Sequence, residues 1–264
     1  MSSTPAQPGH VASPTMARLR LHLPSVPEAF ASLLSLVVVA LFLNTFVLQP
    51  YLIPSESMEH TLLVGDFLLV NKQVYAPPGQ PGSLARSLMP YRDVARGDIV
   101  VFHHALHPYL VKRVVGVPGD RLRIEDGRVF VNGQILDEPY AVFEPSTPNP
   151  FRDEFPAEIY SDPQVDLDWW RQLRTLTHDH QLVVPEGQYF VLGDNRNHSD
   201  DSRYWGFVPR GAIVARPLVI YFSLTRPSTT DVRQAADDRL GHDRELSRRL
   251  TGFARWKRIF LVVH

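Results

Sequence analysis

No residue between Ala29 and Ser55 carries a charge, and Phe30–Leu48 within that stretch is nearly all apolar. As a helix that run would be about 28 Å long at about 1.5 Å per residue, enough for a hydrocarbon core of about 30 Å. It predicts a transmembrane anchor over 29–50. A cleaved signal peptide would have a shorter apolar region, about 7–15 residues, followed by a small-x-small site. Here the run exits through Val47-Leu-Gln-Pro50, and the nearby Ala29-Phe-Ala31 precedes it. Arg18 and Arg20 lie ahead of the span, whereas the first basic residue after it is Lys72. The positive-inside bias then places residues 1–28 in the cytoplasm as a tail and everything beyond residue 50 outside.

A formal net charge of -1 offers no bulk attraction to phosphate backbones, so no nucleic-acid partner is expected. The chain has no cysteine, which excludes a disulfide framework, a thiol nucleophile and a thiolate zinc site. Cys/His metal-ligand spacing is also absent, and neither a metal nor a cofactor is expected. The 23 prolines disfavour a helical protein, because each removes a backbone donor and blocks a helix interior.

Beyond the anchor the pattern is that of strands. Asp98–Phe102, Leu110–Val117, Leu122–Ile124, Arg128–Val131, Tyr189–Leu192 and Pro217–Phe222 are short runs rich in β-branched and aromatic residues. Asp126-Gly127 and Asn132-Gly133 are hairpin turn pairs between some of them. Residues 76–92 read as a Pro/Gly-rich loop. The stretch 141–186 is long and proline-containing, with a helix expected around Trp169-Trp170.

Pro54-Ser-Glu-Ser-Met58 follows the apolar run by a few residues, and Lys112 lies on the strand-like run Leu110–Val117. A serine hydroxyl is a poor nucleophile until a base takes its proton. Histidines are available at 60, 103, 104, 107, 178, 180 and 198, but no Gly-x-Ser-x-Gly elbow surrounds Ser57. Lysine is the other option and must be neutral to act. Lowering its pKa from about 10.4 to about 7 takes roughly 4.6 kcal/mol, which burial can supply. On a strand Lys112 shares a face with Leu110 and Val114, with Arg113 on the other. The competing reading is an edge-strand lysine whose stem covers apolar surface while its amine stays in water.

The chain resembles bacterial type I signal peptidase, a membrane-bound Ser/Lys protease family. The likeness rests on five ordered blocks. They are Ile53-Pro-Ser-Glu-Ser-Met58 with Thr61-Leu62, Val64–Lys72, Arg96–Phe102, Val111–Asp120 and Gly193-Asp-Asn-Arg-Asn-His-Ser-Asp-Asp-Ser-Arg-Tyr-Trp-Gly206. The resemblance implies Ser57 as nucleophile, Lys112 as general base and Ser55 as an oxyanion donor beside the Ser57 N–H. It also implies that Ser199 orients the lysine, and that Asp201 and Arg203 pair to hold the 193–205 segment. His60 stands where the family commonly has proline, and Asn197-His198 replaces a more usual Asp-Asn.

The implied fold is mainly β: an anchor, then an antiparallel catalytic core from 51–120 and 187–225, with a second β-rich subdomain inserted at 121–186. The implied activity is removal of signal peptides from pre-proteins at small-x-small sites on the outer side of the bacterial cytoplasmic membrane. Shallow apolar pockets would be lined by Tyr51, Ile53, Pro54, Leu110 and Val111, with Met58 and Leu62 near the nucleophile. The partners expected are signal-peptide-bearing pre-proteins and membrane lipid. In the tail 226–264, Arg248–Val263 has apolar and basic positions at helical spacing. This predicts a basic amphipathic helix that lies on lipid or packs on the catalytic domain. Two alternatives share features of the pattern: a soluble self-cleaving Ser/Lys repressor, and a membrane-tethered binding protein that keeps the fold without the activity.

Overall fold

The computed structural model describes residues 26–42, 48–75, 92–105, 109–160, 162–225 and 253–264. Residues 1–25 of the expected tail, 43–47 of the expected anchor, nearly all of the 76–92 loop, His107 and 226–252 lie outside them.

Helix α1 (Val26–Phe42) is a unit apart, and most of its large apolar side chains, such as Phe30, Leu36 and Leu41, are exposed. It has 17 residues, about 25 Å at about 1.5 Å per residue. Among the described residues no helix is long and apolar enough to cross a membrane.

The rest is built from antiparallel strands: β1 (Leu48–Leu52), β2 (Asp66–Asn71), β3 (Ile99–Phe102), β4 (Leu110–Gly116), β5 (Arg121–Glu125), β6 (Arg128–Val131), β7 (Gln134–Ile135), β8 (Thr177–His178), β9 (Gln181–Val183), β10 (Gln188–Leu192), β11 (Val208–Pro209), β12 (Ile213–Ser223) and β13 (Leu261–Val262). One sheet has the order β1-β2-β12-β3-β4-β10-β11, with β13 added on β12. The other, β7-β6-β5-β9-β8, lies wholly within the predicted insert. Three short helices complete the fold: α2 (Pro150–Asp153), α3 (Leu167–Leu176) and α4 (Ser202–Trp205).

Local chemistry accounts for these elements. Asp126 and Gly127, like Asn132 and Gly133, all take positive φ, the requirement of a tight two-residue hairpin turn. Helix α3 starts where the Asp166 carboxylate accepts the Trp169 N–H, and it buries Trp169 and Leu173 beneath the second sheet. Strand β2 alternates buried and half-buried residues because one face meets the core. Strand β3 is buried throughout.

Two boundaries differ from the sequence pattern. Strand β1 begins at Leu48, inside the 29–50 stretch read as anchor, and pairs Leu48–Leu52 with Phe67–Asn71. Strand β12 begins four residues before Pro217. That proline sits inside a central strand, but the β12–β2 register shifts between it and Val219, so its missing donor falls at a bulge.

The basic amphipathic helix expected at 248–263 is not what residues 253–263 form. Ala254 bridges Leu224, Trp256–Arg258 make a single 3-10 turn, and β13 pairs with β12. Arg255 and Arg258 turn inward to Asp66, and that buried carboxylate fixes them in place of a polar outer face.

Candidate active site

Ser57 sits in a 3-10 turn, Glu56–Met58, just after β1, with extended Ser55 immediately before it. The turn is pinned from below: the Ser57 carbonyl accepts the Asn195 N–H at 3.1 Å, and the Met58 carbonyl accepts that of Leu62 at 2.7 Å. The Ser55 hydroxyl lies 3.4 Å from that of Ser57. Ser57 is 9% exposed, which leaves its side chain sunk at the surface but reachable.

Lys112 lies on β4 opposite Val100, and at 2% exposure its amine is out of water. This rules out the edge-strand reading with a solvated head. Nζ donates to Ser199 Oγ at 3.1 Å, and the Asp201 carboxylate lies near both groups. Burial is the main reason the lysine pKa falls to about 8, offset in part by Asp201 and Asp200. The amine is therefore neutral in a large fraction of molecules at mildly alkaline pH, as a general base must be.

Asp201 and Arg203 pair through Nε and Nη2, both at 2.8 Å, with both side chains buried. They are far from a surface i,i+2 pair. Burial would raise the Asp201 carboxyl, but Arg203 beside it outweighs that and holds it below its ordinary value. The pair shapes the segment: Asp201 accepts the Gly193 N–H at 3.1 Å, and Arg203 donates to the Arg196 carbonyl at 2.8 Å.

Three parts of the site were given no chemical role by the sequence pattern. A Cβ on Gly193 would collide with the Ser57 carbonyl and the Ser199 hydroxyl. Only glycine lets the segment approach both. Arg113, across β4 from Lys112, makes two 2.8 Å bonds to Asp194, and Thr61 donates to the same carboxylate at 2.5 Å. This joins the loop after Ser57 to the strand of Lys112. His60 has φ 81, a region closed to proline, whose ring holds φ near about −65°.

Of the expected pocket residues, Ile53, Met58 and Leu62 are buried in one cluster, with Tyr51 and Val111 half-buried against it. Pro54 is exposed beside them. Leu110 is not brought to this group and packs instead with Val74, Tyr75 and Val114. The histidines have other partners: His198 lies 3.6 Å from Glu144, His103 stacks on Tyr109 and His104 on Trp205.

A serine hydroxyl near the surface, a second hydroxyl beside it and a desolvated lysine bonded to the segment that packs on the serine's carbonyl are the equipment of a serine peptidase. The chain belongs to the signal peptidase family, peptidase S26, whose model matches residues 26–222. A signal peptidase I of Pseudomonas aeruginosa is 33% identical over 230 residues, covering 79% of this chain and 77% of that protein. A probable signal peptidase I-2 of Synechocystis sp. is 34% identical over 206 residues, 75% of this chain and 74% of its own. A signal peptidase I of Aquifex aeolicus is 33% identical, with 77% and 87% covered. A solved signal peptidase I from Enterococcus faecalis V583 is 32% identical, with a TM-score of 0.34, over 47% of this chain and 97% of that one.

Proposed function

We propose that this serine peptidase removes signal peptides from exported pre-proteins at small-x-small sites, with Ser57 as nucleophile and Lys112 as its base. The observation that carries the reading is the burial of Lys112 with its amine hydrogen-bonded to Ser199. The neutral amine takes the Ser57 proton as the hydroxyl attacks the scissile carbonyl, and then hands it to the leaving amine. Ser55 donates to the oxyanion that develops. The substrate lies extended beside the exposed Pro54–Ser55 backbone, adding as a strand. Its small side chains meet Ile53, Met58, Leu62, Tyr51 and Val111.

The apolar stretch that opens at Ala29 and ends before β1 anchors the protein in the cytoplasmic membrane with the N-terminus inside, and the β domain works on the outer side. Residues 51–120 and 187–225 act as the catalytic core, and 121–186 as an inserted subdomain. One face of the domain favours contact with lipid. Leu52, Phe253, Trp256 and Phe260 are all exposed, and Phe67, Phe222, Phe253 and Trp256 touch in series at ring separations of 5.8–6.3 Å. An exposed patch rich in aromatic rings suits the bilayer interface. It runs from Leu52, a few residues before Ser57, so the nucleophile opens close to the surface where signal peptides reside.

The test is incubation of the purified full chain with a pre-protein whose signal peptide ends in Ala-x-Ala, followed by identification of the new N-terminus. A cut directly after that motif, lost in Ser57→Ala and in Lys112→Ala, is expected. The double variant should be barely worse than either single one, since the two residues act as a unit. No cut, or a cut that persists in Ser57→Ala, overturns the reading.

A further inference from the structure

Asp66 opens β2 with its side chain fully buried, directly behind the loop that follows Ser57. Its carboxylate accepts the Leu63 N–H at 2.8 Å, the Ser223 hydroxyl at 2.6 Å and Arg258 Nη2 at 2.6 Å. Arg255 stands 3.6 Å away. The guanidiniums also reach past Asp66 to the loop backbone: Arg258 Nη2 donates to the Thr61 carbonyl at 2.9 Å, and Arg255 Nη2 to that of Val64 at 2.5 Å. Both arginines come from the segment 253–264. That segment is itself tied to β12 through Arg255 N–H to Ser223, Phe260 N–H to Ile220 and Val263 N–H to Leu218.

The same segment touches the site at two further points. Val263 is buried in the cluster of Ile53, Met58 and Leu62. Arg113, next to Lys112 on β4, donates to the His264 carbonyl at 3.3 Å. A buried ion cluster is a weak source of stability, because desolvation cancels much of the attraction. What planar guanidiniums supply is direction, several bonds at fixed angles from one rigid group. Residues 59–65 contain no strand or helix, so the position of that loop depends on such bonds.

We propose that the segment 253–264 is a positioning part of the active site, in which Arg258 fixes the loop that follows Ser57 and so holds the nucleophile at its angle of attack. This rests on the reading of Ser57 as nucleophile. Arg258 touches neither substrate nor reacting atoms. It acts through Thr61 and Asp66.

The experiment compares the full-length wild type with Arg258→Ala, Arg258→Lys and Arg255→Ala, measuring kcat and KM on a peptide spanning an Ala-x-Ala site, together with Tm. Arg258→Ala should lose about tenfold or more in kcat, the scale of a small misplacement of reacting groups, with KM within about twofold. Added guanidinium ion should restore part of the lost kcat, and Arg258→Lys should fall between wild type and alanine. A lowered Tm with unchanged kcat would make the segment a structural strap and overturn the proposal. So would a loss of activity that follows the unfolded fraction and ignores guanidinium. Should Arg258→Ala not accumulate as folded protein, Arg258→Lys decides: wild-type kcat in that variant overturns the proposal. A wild type that leaves both peptide and pre-protein uncut refutes the proposed function instead.

Discussion

The Lys112 amine donates to the Ser199 hydroxyl at 3.1 Å in a contact sealed from solvent. That bond orients the amine, and among the described residues no carboxylate stands at hydrogen-bond distance from it. A carboxylate bonded directly to Nζ would favour the charged amine. A hydroxyl in that place lets burial keep the pKa down to about 8.

On the proposed Ser57–Lys112 mechanism the acidic limb of kcat/KM should lie near pH 8, because only a neutral amine can accept a proton and the free enzyme's pKa governs that limb. A histidine base would place it near about 6.5. The profile of wild type beside His60→Ala and His198→Ala checks this, and a limb that moves with either histidine defeats the Ser/Lys mechanism. Ser199→Ala should lower the rate strongly while leaving the fold intact.

The same lysine should weaken the folded protein at neutral pH. Its folded pKa, about 8, lies below the unfolded value of 10.5. Below pH 8 both states hold the proton and the folded state bears the whole penalty, about 3 kcal/mol. Between those two values the folded amine is already neutral and stability rises with pH. Lys112→Met should accordingly be more stable than wild type at pH 7 by about 2 kcal/mol, after the loss of about 1 kcal/mol for the Ser199 bond. Denaturant unfolding at pH 7 and at pH 10 measures it, and a variant less stable at pH 7 refutes it.

What the sequence pattern revealed and what it hid divide along physical lines. Lys112 stood out because a charged residue in the Leu110-Val-Lys-Arg-Val-Val115 run has to be buried or at an edge, and strand alternation says which neighbours share its face, but only its burial in the fold decides between the two. The hairpins at Asp126-Gly127 and Asn132-Gly133 were legible because positive φ restricts the residue types. The start of β12 was hidden because Pro217 breaks the strand signal locally, whereas a bulge in the pairing accommodates it. The tail misled for a similar reason. Spacing at 3.6 residues describes one element alone, but the conformation of Arg255 and Arg258 is set by a carboxylate 192 residues before Arg258. Gly193 was given no chemical role because what it supplies is an absence of atoms at a point where two distant segments meet.

Ser55→Ala should reduce kcat by about 10²–10³ with little change in KM, the usual effect of removing one oxyanion donor. The 3.4 Å separation of the Ser55 and Ser57 hydroxyls places the donor beside the attacking oxygen. Steady-state kinetics separate the cases: a raised KM with kcat held would make Ser55 a substrate-binding residue.

Gly193→Ala should cost activity out of proportion to the single methyl it adds. That methyl would meet the Ser199 Cβ at 2.6 Å, as well as the Ser199 hydroxyl and the Ser57 carbonyl, so one of the two segments has to retreat. Retreat of the Ser57 turn moves its hydroxyl, retreat of Ser199 moves the group that holds the Lys112 amine, and a displacement of about 1 Å in a catalytic group can cost about 10²-fold in rate. Gly211→Ala is the control, since nothing lies within 4 Å of the Cβ it would gain. The measurement is kcat for the two variants beside Tm. The expected result is a loss of about 10² in kcat for Gly193→Ala and wild-type kcat for Gly211→Ala, with both proteins folded at the assay temperature. Near-wild-type turnover in Gly193→Ala would mean that the segment gives way without disturbing the dyad, and that the close approach at Gly193 is packing alone.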